Sequence, residues 1–399
     1  MNRFRLILFG ALAILMAGCS KDNPREPEME PWVNDLSLPV PIELGVSGFN
    51  FTTRTKADML DESNVHTADF WVYAVDTTYQ LSVGENETTL MANEKANLVD
   101  GKMKFAGDKT WYYPYASAYN YTFYAYHVGV KPGTSEPPIQ FTDDALLVKL
   151  NLNDIQSDVL WARSRATPIT NGGIYLDGFN ARYIRKAKQL YAAAADNYKD
   201  HFAKNFPKLE FQHLTTALEF NFLVSPDADH QVDLNKVKVT KLELSNMPSD
   251  VVLCVASRNP SRKAGEIVVS TYGGHPPVSM NCDTLVMEAV GDTTKLGTMF
   301  VHVPADSTQV LVDMAVQVPR TSDVNDTYEV PVKLTLGEPV GGFKPGYKYS
   351  YTIKMNTITE IDINGSVKEW EQGGTGINKV DTSGGTTTNG PGDNTLLID

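Results

Sequence analysis

The sequence predicts an all-β protein of two β-sandwich domains with an inserted α-helix. Three observations predict it. Apolar and polar residues alternate with period two in run after run, one stretch alone has helical spacing, and 399 residues are enough for two ordinary cores. A hydrophobic content of 42% with 21% charged residues is that of a folded globular chain.

The alternation is clearest in the second half. Val310, Val312, Met314, Val316 and Val318 fall on one face of a strand, as do Val330, Val332, Leu334 and Leu336. Tyr347, Tyr349, Tyr351, Ile353 and Met355 make a third stripe, and Leu214, Thr216, Leu218, Phe220, Phe222 and Val224 a fourth. One apolar and one polar face per strand is what packed antiparallel sheets require. The first half is noisier, with strands expected over 42–46, 49–53, 70–75, 102–105, 121–128, 146–150 and 159–162. Gly48 breaks register between Ile42, Leu44, Val46 and the following Phe49 and Phe51, as a bulge would.

Between Phe179 and Phe206 the apolar residues Tyr183, Ala187, Leu190, Tyr191, Ala194, Tyr198 and Phe202 have helical spacing. Ala192–Ala195 favours a helix and Pro207 ends it. The expected division is therefore an N-terminal sandwich over 41–207 carrying a helical insertion near 179–206, and a C-terminal sandwich over 208–370. Residues 371–399 are rich in Gly, Thr and Asn, too polar to bury much surface, yet Thr395-Leu396-Leu397-Ile398-Asp399 is an apolar stretch that could add a strand to another subunit.

At the N-terminus, Arg3 and Arg5 precede an apolar run from Leu6 to Ala17, short for a membrane span, and then Leu15-Met16-Ala17-Gly18-Cys19. This reads as a lipoprotein signal peptide over 1–18 with Cys19 as the lipidated residue, followed by a polar tether over 19–40. Met16 stands where a branched aliphatic residue is usual. Removing 1–18 takes away two arginines and no acid, so the formal charge of −13 becomes −15. Acyl chains on Cys19 are then the expected hold on the outer membrane. With no clustered basic surface, nucleic acid is excluded as a partner. Cys254 and Cys282 could pair in an oxidising compartment, although Cys254, inside Val251-Val252-Leu253-Cys254-Val255, fits equally as a small core residue.

Motifs that would carry chemistry are missing. The seven histidines are scattered, with no His-Glu-x-x-His, no Cys-x-x-Cys, no Gly-x-Ser-x-Gly and no phosphate loop, so no catalytic residue, cofactor or metal is expected. Asp227-x-Asp229-His230 follows Pro226 and reads as a polar turn. Asp61-Glu62 and Asp143-Asp144 are neighbours whose side chains point apart on a strand. His127 and His213 sit in strand-like runs and read as structural. The dense aromatics at Trp111, Tyr112, Tyr113 and 115–126 either fill a hairpin core or offer a glycan-stacking platform.

Taken together, these residues resemble the fimbrillin family of Bacteroidetes, lipoprotein precursors of type V pili and related surface adhesins. The resemblance is carried by the Cys19 motif, by Ile42–Arg54 with its Thr-Arg-Thr element, and by Phe70-Trp71-Val72-Tyr73-Ala74-Val75. It continues through Trp111–Pro114, Tyr121–Tyr126, Asp158–Ala162, Leu209–Leu218 and Phe343–Ile353, with Val367 and Trp370. The polar start Ser20-Lys21-Asp22-Asn23 is similar to the surface-export signal of such lipoproteins. The helical insert and the low-complexity tail depart from the simplest members.

The resemblance implies transthyretin-like sandwiches and assembly by strand exchange. A trypsin-like protease would cut after Arg54, and the strand containing Ile42, Leu44, Val46, Phe49 and Phe51 would leave. A donor strand from a neighbouring subunit would fill the slot, here from Ile377 and Val380 or from Leu396, Leu397 and Ile398. The expected function is that of a structural or adhesive fimbrial subunit at the cell surface, partnered by other fimbrial subunits. The alternatives are a monomeric glycan-binding lipoprotein using Trp111–Tyr126 and, more distantly, a hydrolase with its site in loops.

Overall fold

The computed structural model describes residues 30–47, 68–76, 89–115, 119–130, 139–142, 145–171, 174–176, 178–224, 237–259, 261–270, 276–282, 293–304, 309–319, 327–337, 339, 342–355 and 361–369. The expectations placed on Cys19, Phe49, Phe51, Arg54, Asp61-Glu62, Asp143-Asp144, Asp227–His230, Ile377, Val380, Leu396, Leu397 and Ile398 lie outside these residues.

The fold is mostly β, as the alternation predicts. The first part of the chain forms β1 (Val40–Pro41), β2 (Gly45–Ser47), β3 (Phe70–Asp76), β4 (Thr89–Val99), β5 (Lys102–Phe105), β6 (Tyr112–Tyr113), β7 (Tyr121–Val130), β8 (Ile139–Thr142), β9 (Ala145–Asn151), β10 (Ile155–Ser164), β11 (Ile169–Asn171) and β12 (Ile174–Leu176). Helices α1 (Ala181–Ala193) and α2 (Asp196–Ala203) follow, then β13 (Lys208–Glu210), β14 (Gln212–His213) and β15 (Thr216–Val224). The remainder is β16 (Lys238–Pro248), β17 (Asp250–Ser257), β18 (Glu266–Val269), β19 (Pro277–Asn281), β20 (Thr293–Val301), β21 (Gln309–Pro319), β22 (Thr327–Gly337), β23 (Tyr347–Met355) and β24 (Ile361–Glu369).

An eight-stranded sheet in the order β13-β2-β5-β4-β3-β7-β10-β14 dominates the first part. It is covered on both faces. Phe70, Val72 and Ala74 of β3, Phe123 and Ala125 of β7, and Leu160 and Ala162 of β10 face a core that includes Tyr183, Ile184 and Ala187 of α1. The intervening Trp71, Tyr73, Val75, Tyr124, Tyr126, Val128, Val159 and Trp161 face the other way, into the larger core. Burial on both sides explains why β3 reads as an unbroken apolar run, Phe-Trp-Val-Tyr-Ala-Val, and why period two is blurred in this half.

The sheet β18-β17-β9-β8 joins the two halves of the chain. β9 pairs antiparallel with β17, Leu150 opposite Val251 and Val148 opposite Leu253. The boundary expected at 207/208 is thus crossed by a ladder, and the larger core runs from Trp71 to Met355 without a break. Trp161 of β10 docks on the β17–β18 hairpin, its Nε1 donating to Val255 O at 2.9 Å. Gly265, at φ +83°, makes room for the indole, because a Cβ there would stand 2.5 Å from Trp161 Cε3.

The C-terminal sandwich packs β20-β15-β23-β24 with β19-β16-β21-β22. All four stripes read from the sequence point into it: Val310, Val312, Met314, Val316, Val318, Val332, Leu334, Leu336, Leu218, Phe220, Phe222, Tyr349, Tyr351, Ile353 and Met355 are buried. The central pair β15 and β23 runs parallel, Phe220 opposite Tyr351. Beside it Glu219 accepts from Lys348 Nζ at 2.6 Å and Ser350 Oγ at 2.7 Å, and pairs with Lys295 at 3.0 Å. Burial pushes the Glu219 carboxyl up, but the bonds from Lys348, Ser350 and Lys295 outweigh it and bring the pKa to about 2.

Two expectations are corrected. The single helix over 179–206 is two helices, with Ala194 and Ala195 extended between them. Asn180 caps α1 by accepting from Tyr183 N at 2.8 Å. A continuous helix would hold Tyr191 and Phe206 about 22 Å apart. Instead their rings pack edge to face at 5.7 Å, and that contact needs the chain to turn back. The second correction concerns Cys254 and Cys282, which no disulfide joins. Cys254 packs with Ala145 and Leu147, whereas Cys282 belongs to the larger core, so both serve as small buried residues.

Three outcomes are expected. Gly265→Ala combines a left-handed backbone with overlap on a buried indole and should cost about 2–4 kcal/mol, read as a fall in the urea midpoint. Gly101→Ala, at φ +72° with nothing within 4 Å of a Cβ, should cost only the backbone strain of about 1–2 kcal/mol. For Glu219 the folded pKa lies below the ordinary value of 4.5, so its stabilisation is present above that pH and is lost as pH falls towards about 2. Glu219→Gln should flatten this part of the stability–pH curve, and an unchanged acid limb would contradict the assignment.

Candidate functional site: the seat of the first strand

The segment from Val40 to Ser47 is extended and changes partners midway. Val40 and Pro41 pair with Tyr113 and Tyr112 of β6, after which the chain crosses to the eight-stranded sheet as β2. There β2 is an inner strand. On one side it runs parallel to β13, with Gly45 opposite Lys208 and Val46 opposite Leu209. On the other it meets β5 at Gly45–Lys102.

Main-chain bonds hold both sides. Gly45 N donates to Pro207 O at 3.0 Å and Phe211 N to Ser47 O at 3.0 Å, while Val46 N donates to Gly101 O and Met103 N to Leu44 O, each at 2.9 Å. Ile42 N donates to Trp111 O at 2.8 Å. Glu43 faces outward and pairs with Lys102 at 3.4 Å. Ile42 and Leu44 are buried in the smaller core, and Val46 packs partly buried against it. Of the five residues expected on the removable strand, Ile42, Leu44 and Val46 therefore lie together in one apolar slot.

The seat is imperfect in its polar groups. Ser47 Oγ, Trp111 Nε1 and the Tyr113 hydroxyl are buried with no hydrogen-bond partner among the described residues. Each such group carries a desolvation cost that a bonded one does not. Burial also pushes the Tyr113 hydroxyl pKa well above its ordinary value.

The segment before the strand is held as well. Residues Glu30 to Leu38 lie along α1, with Val33 buried. Arg185 donates from Nη1 to Asp35 O at 2.8 Å and from Nη2 to Leu38 O at 2.5 Å. One turn along the helix, Gln189 Nε2 reaches Val33 O at 3.5 Å. Lys188 pairs with Glu30 at 3.2 Å and lies over the rings of Trp32 and Phe206. A cleft of about 370 Å³ opens beside β2, lined by Trp32, Val46, Ile184, Phe206 and three lysines. Two of these lysines, Lys102 and Lys188, are already matched by Glu43 and Glu30.

Sequence reading did not find this clamp. Arg185, Lys188 and Gln189 look like the solvated side of an amphipathic helix, and only the docked segment shows otherwise.

The aromatic trio does not form a stacking platform. Trp111 and Tyr113 are buried and Tyr112 is exposed, while Lys109 Nζ sits 3.6 Å above the Trp111 ring. Trp111 and Tyr113 fill core as the alternative expected, but β6 pairs with β1 and not with β7, so the two aromatic runs do not form a hairpin. Both histidines singled out are structural. His127 Nδ1 bonds Asp69 O at 2.8 Å, and burial holds its pKa below the ordinary value. His213 pairs with Asp158, whose Oδ1 also accepts from Thr215 Oγ1 at 2.6 Å and Val159 N at 2.7 Å. That cluster sits at the irregularity in β10 between Ile155 and Val159. Among the described residues no group of three or more His, Cys, Asp or Glu could hold a metal ion, and no helix is long and apolar enough to cross a membrane.

Comparison with curated proteins gives no match. Among solved structures the chain is similar to a candidate cell adhesion protein from Bacteroides uniformis, at 15% identity and a TM-score of 0.43, covering 84% of this chain and 99% of that one. It is similar to a fimbrial protein from Bacteroides vulgatus at 16% identity and 0.41, covering 83% and 99%. With the fimbrial anchor protein from Porphyromonas gingivalis the figures are 10% and 0.29, covering 83% and 99%. The family model described as Fimbrillin-like matches residues 181–370, from the start of α1 to the residue after β24, and over that span the chain is similar to that family.

Proposed function

We propose that this chain is a structural or adhesive fimbrial subunit, made as a precursor lipidated on Cys19, exported to the cell surface and assembled by protease-triggered strand exchange. One observation carries the reading: β2 is an inner strand, yet it belongs to a short segment joined to the rest of the chain only through residues 48–67. A cut after Arg54 would leave that segment held by non-covalent contacts alone.

Its departure would leave β5 and β13 with unpaired main-chain groups and would uncover the pockets of Ile42 and Leu44. Such an edge is unstable in water and selects another strand by main-chain bonding and alternate side-chain pockets. Donors from the tail, Ile377 and Val380 or Leu396, Leu397 and Ile398, would supply apolar side chains for them. The two-domain division belongs to the same reading, with β8 and β9 reaching across to β17. The fimbrillin-like match supports other fimbrial subunits as partners and the cell surface as the location.

The test is limited trypsin digestion of the full-length chain followed by prolonged incubation. Cleavage near Arg54, loss of the N-terminal fragment and ladders on denaturing gels are expected, and Arg54→Ala should abolish all three. A wild-type chain that is cut there and stays monomeric overturns the assembly reading.

A further inference from the structure

We infer that α1 is a latch that sets how fast the first segment leaves. The inference rests on the reading of that segment as removable, and it assigns a regulatory role to the helical insertion.

The latch has two sides. One side of α1, Tyr183, Ile184 and Ala187, is fixed in the core on the eight-stranded sheet. Another, with Arg185 and Gln189 one turn apart, grips the chain immediately upstream of β1. Arg185 is only 7% exposed although it is a charged side chain, so its guanidinium is committed to the carbonyls of Asp35 and Leu38. A planar guanidinium reading two carbonyls three residues apart fixes the path of the backbone and not its sequence.

β2 itself has three residues, and its contact with β5 is a single residue pair. Ser47 Oγ in β2, and Trp111 Nε1 and the Tyr113 hydroxyl in the stretch beside β1 and Ile42, have no hydrogen-bond partner among the described residues. The ladder is short, three residue pairs with β13 and one with β5, and it is not the segment's whole attachment. The clamp at 30–38 therefore supplies much of what keeps a cut segment in place, and the segment can leave only after Arg185 and Gln189 let go. The buried guanidinium makes that step slow, because both bonds must break before water replaces them. A donor strand then competes for the slot at a rate limited by the latch.

The experiment uses the full-length chain with a recognition sequence for a site-specific protease inserted after Arg54. After complete cutting, release of the N-terminal fragment is followed by size exclusion at graded low urea concentrations, so that a rate is obtained for every variant. Arg185→Ala and Arg185→Lys should each release the fragment roughly tenfold to a hundredfold faster than wild type, the lysine variant because it keeps the charge and loses the fork. Gln189→Ala should act in the same direction and more weakly. Arg182→Ala, an exposed neighbour on the same helix, should leave the rate at the wild-type value.

Circular dichroism before cutting separates a lost latch from a lost fold. Equal release from wild type, Arg185→Ala and Gln189→Ala overturns the latch, as does equal acceleration by Arg182→Ala. Failure of the assembly reading looks different: fragment release then responds to Arg185 as stated, but no variant forms ladders afterwards.

Discussion

Burial of the eight-stranded sheet on both faces is the constraint on which the rest of the structure depends. Its inner strands carry apolar residues on either side, so each face needs a cover, and the chain supplies two different ones. Helix α1 covers one face with Tyr183, Ile184 and Ala187. The sheet of β8, β9, β17 and β18 lies on the side of the other, where Trp161 and the space left at Gly265 key the two layers together. Because β9 comes from the first half of the chain and β17 from the second, the cover also ties the C-terminal sandwich to the N-terminal sheet.

The same constraint decides what could be read from the sequence. β15, β21, β22 and β23 each turn one face to the sandwich and one outward, so period two is plain in them and marks residues such as Phe220, Val312, Leu334 and Ile353 that are buried. β3 was legible as an apolar run, but not which of its residues face which layer, because both sets are apolar. The pairing of Leu150 with Val251 joins residues 101 positions apart and leaves no local trace. The break at Ala194–Ala195 went unread for a related reason. Alanine favours helix locally, and only the return of Phe206 onto Tyr191 overrides it.

The slot for the first strand was legible in part. Ile42 and Leu44 stood out by alternation, and both are buried as expected. That β2 runs parallel to β13, and that a helix grips the chain before it, had no signal in composition or spacing. Arg185 reads as an ordinary surface arginine, because what buries it lies 150 residues upstream.

These features describe a segment that is fully part of the sheet, and the proposed function makes it separable from it. Its side chains complete a core, its main chain completes a ladder, and its attachment is concentrated in a few contacts with α1, β5, β6 and β13. Native-state hydrogen exchange on the intact chain tests this most directly. The account predicts that the amides of Ile42, Gly45 and Val46 are protected but exchange through a local opening, with a free energy well below that of Val72 and Tyr124 in β3 and β7. Exchange of all five only through global unfolding, or no protection at Gly45 and Val46, would contradict it.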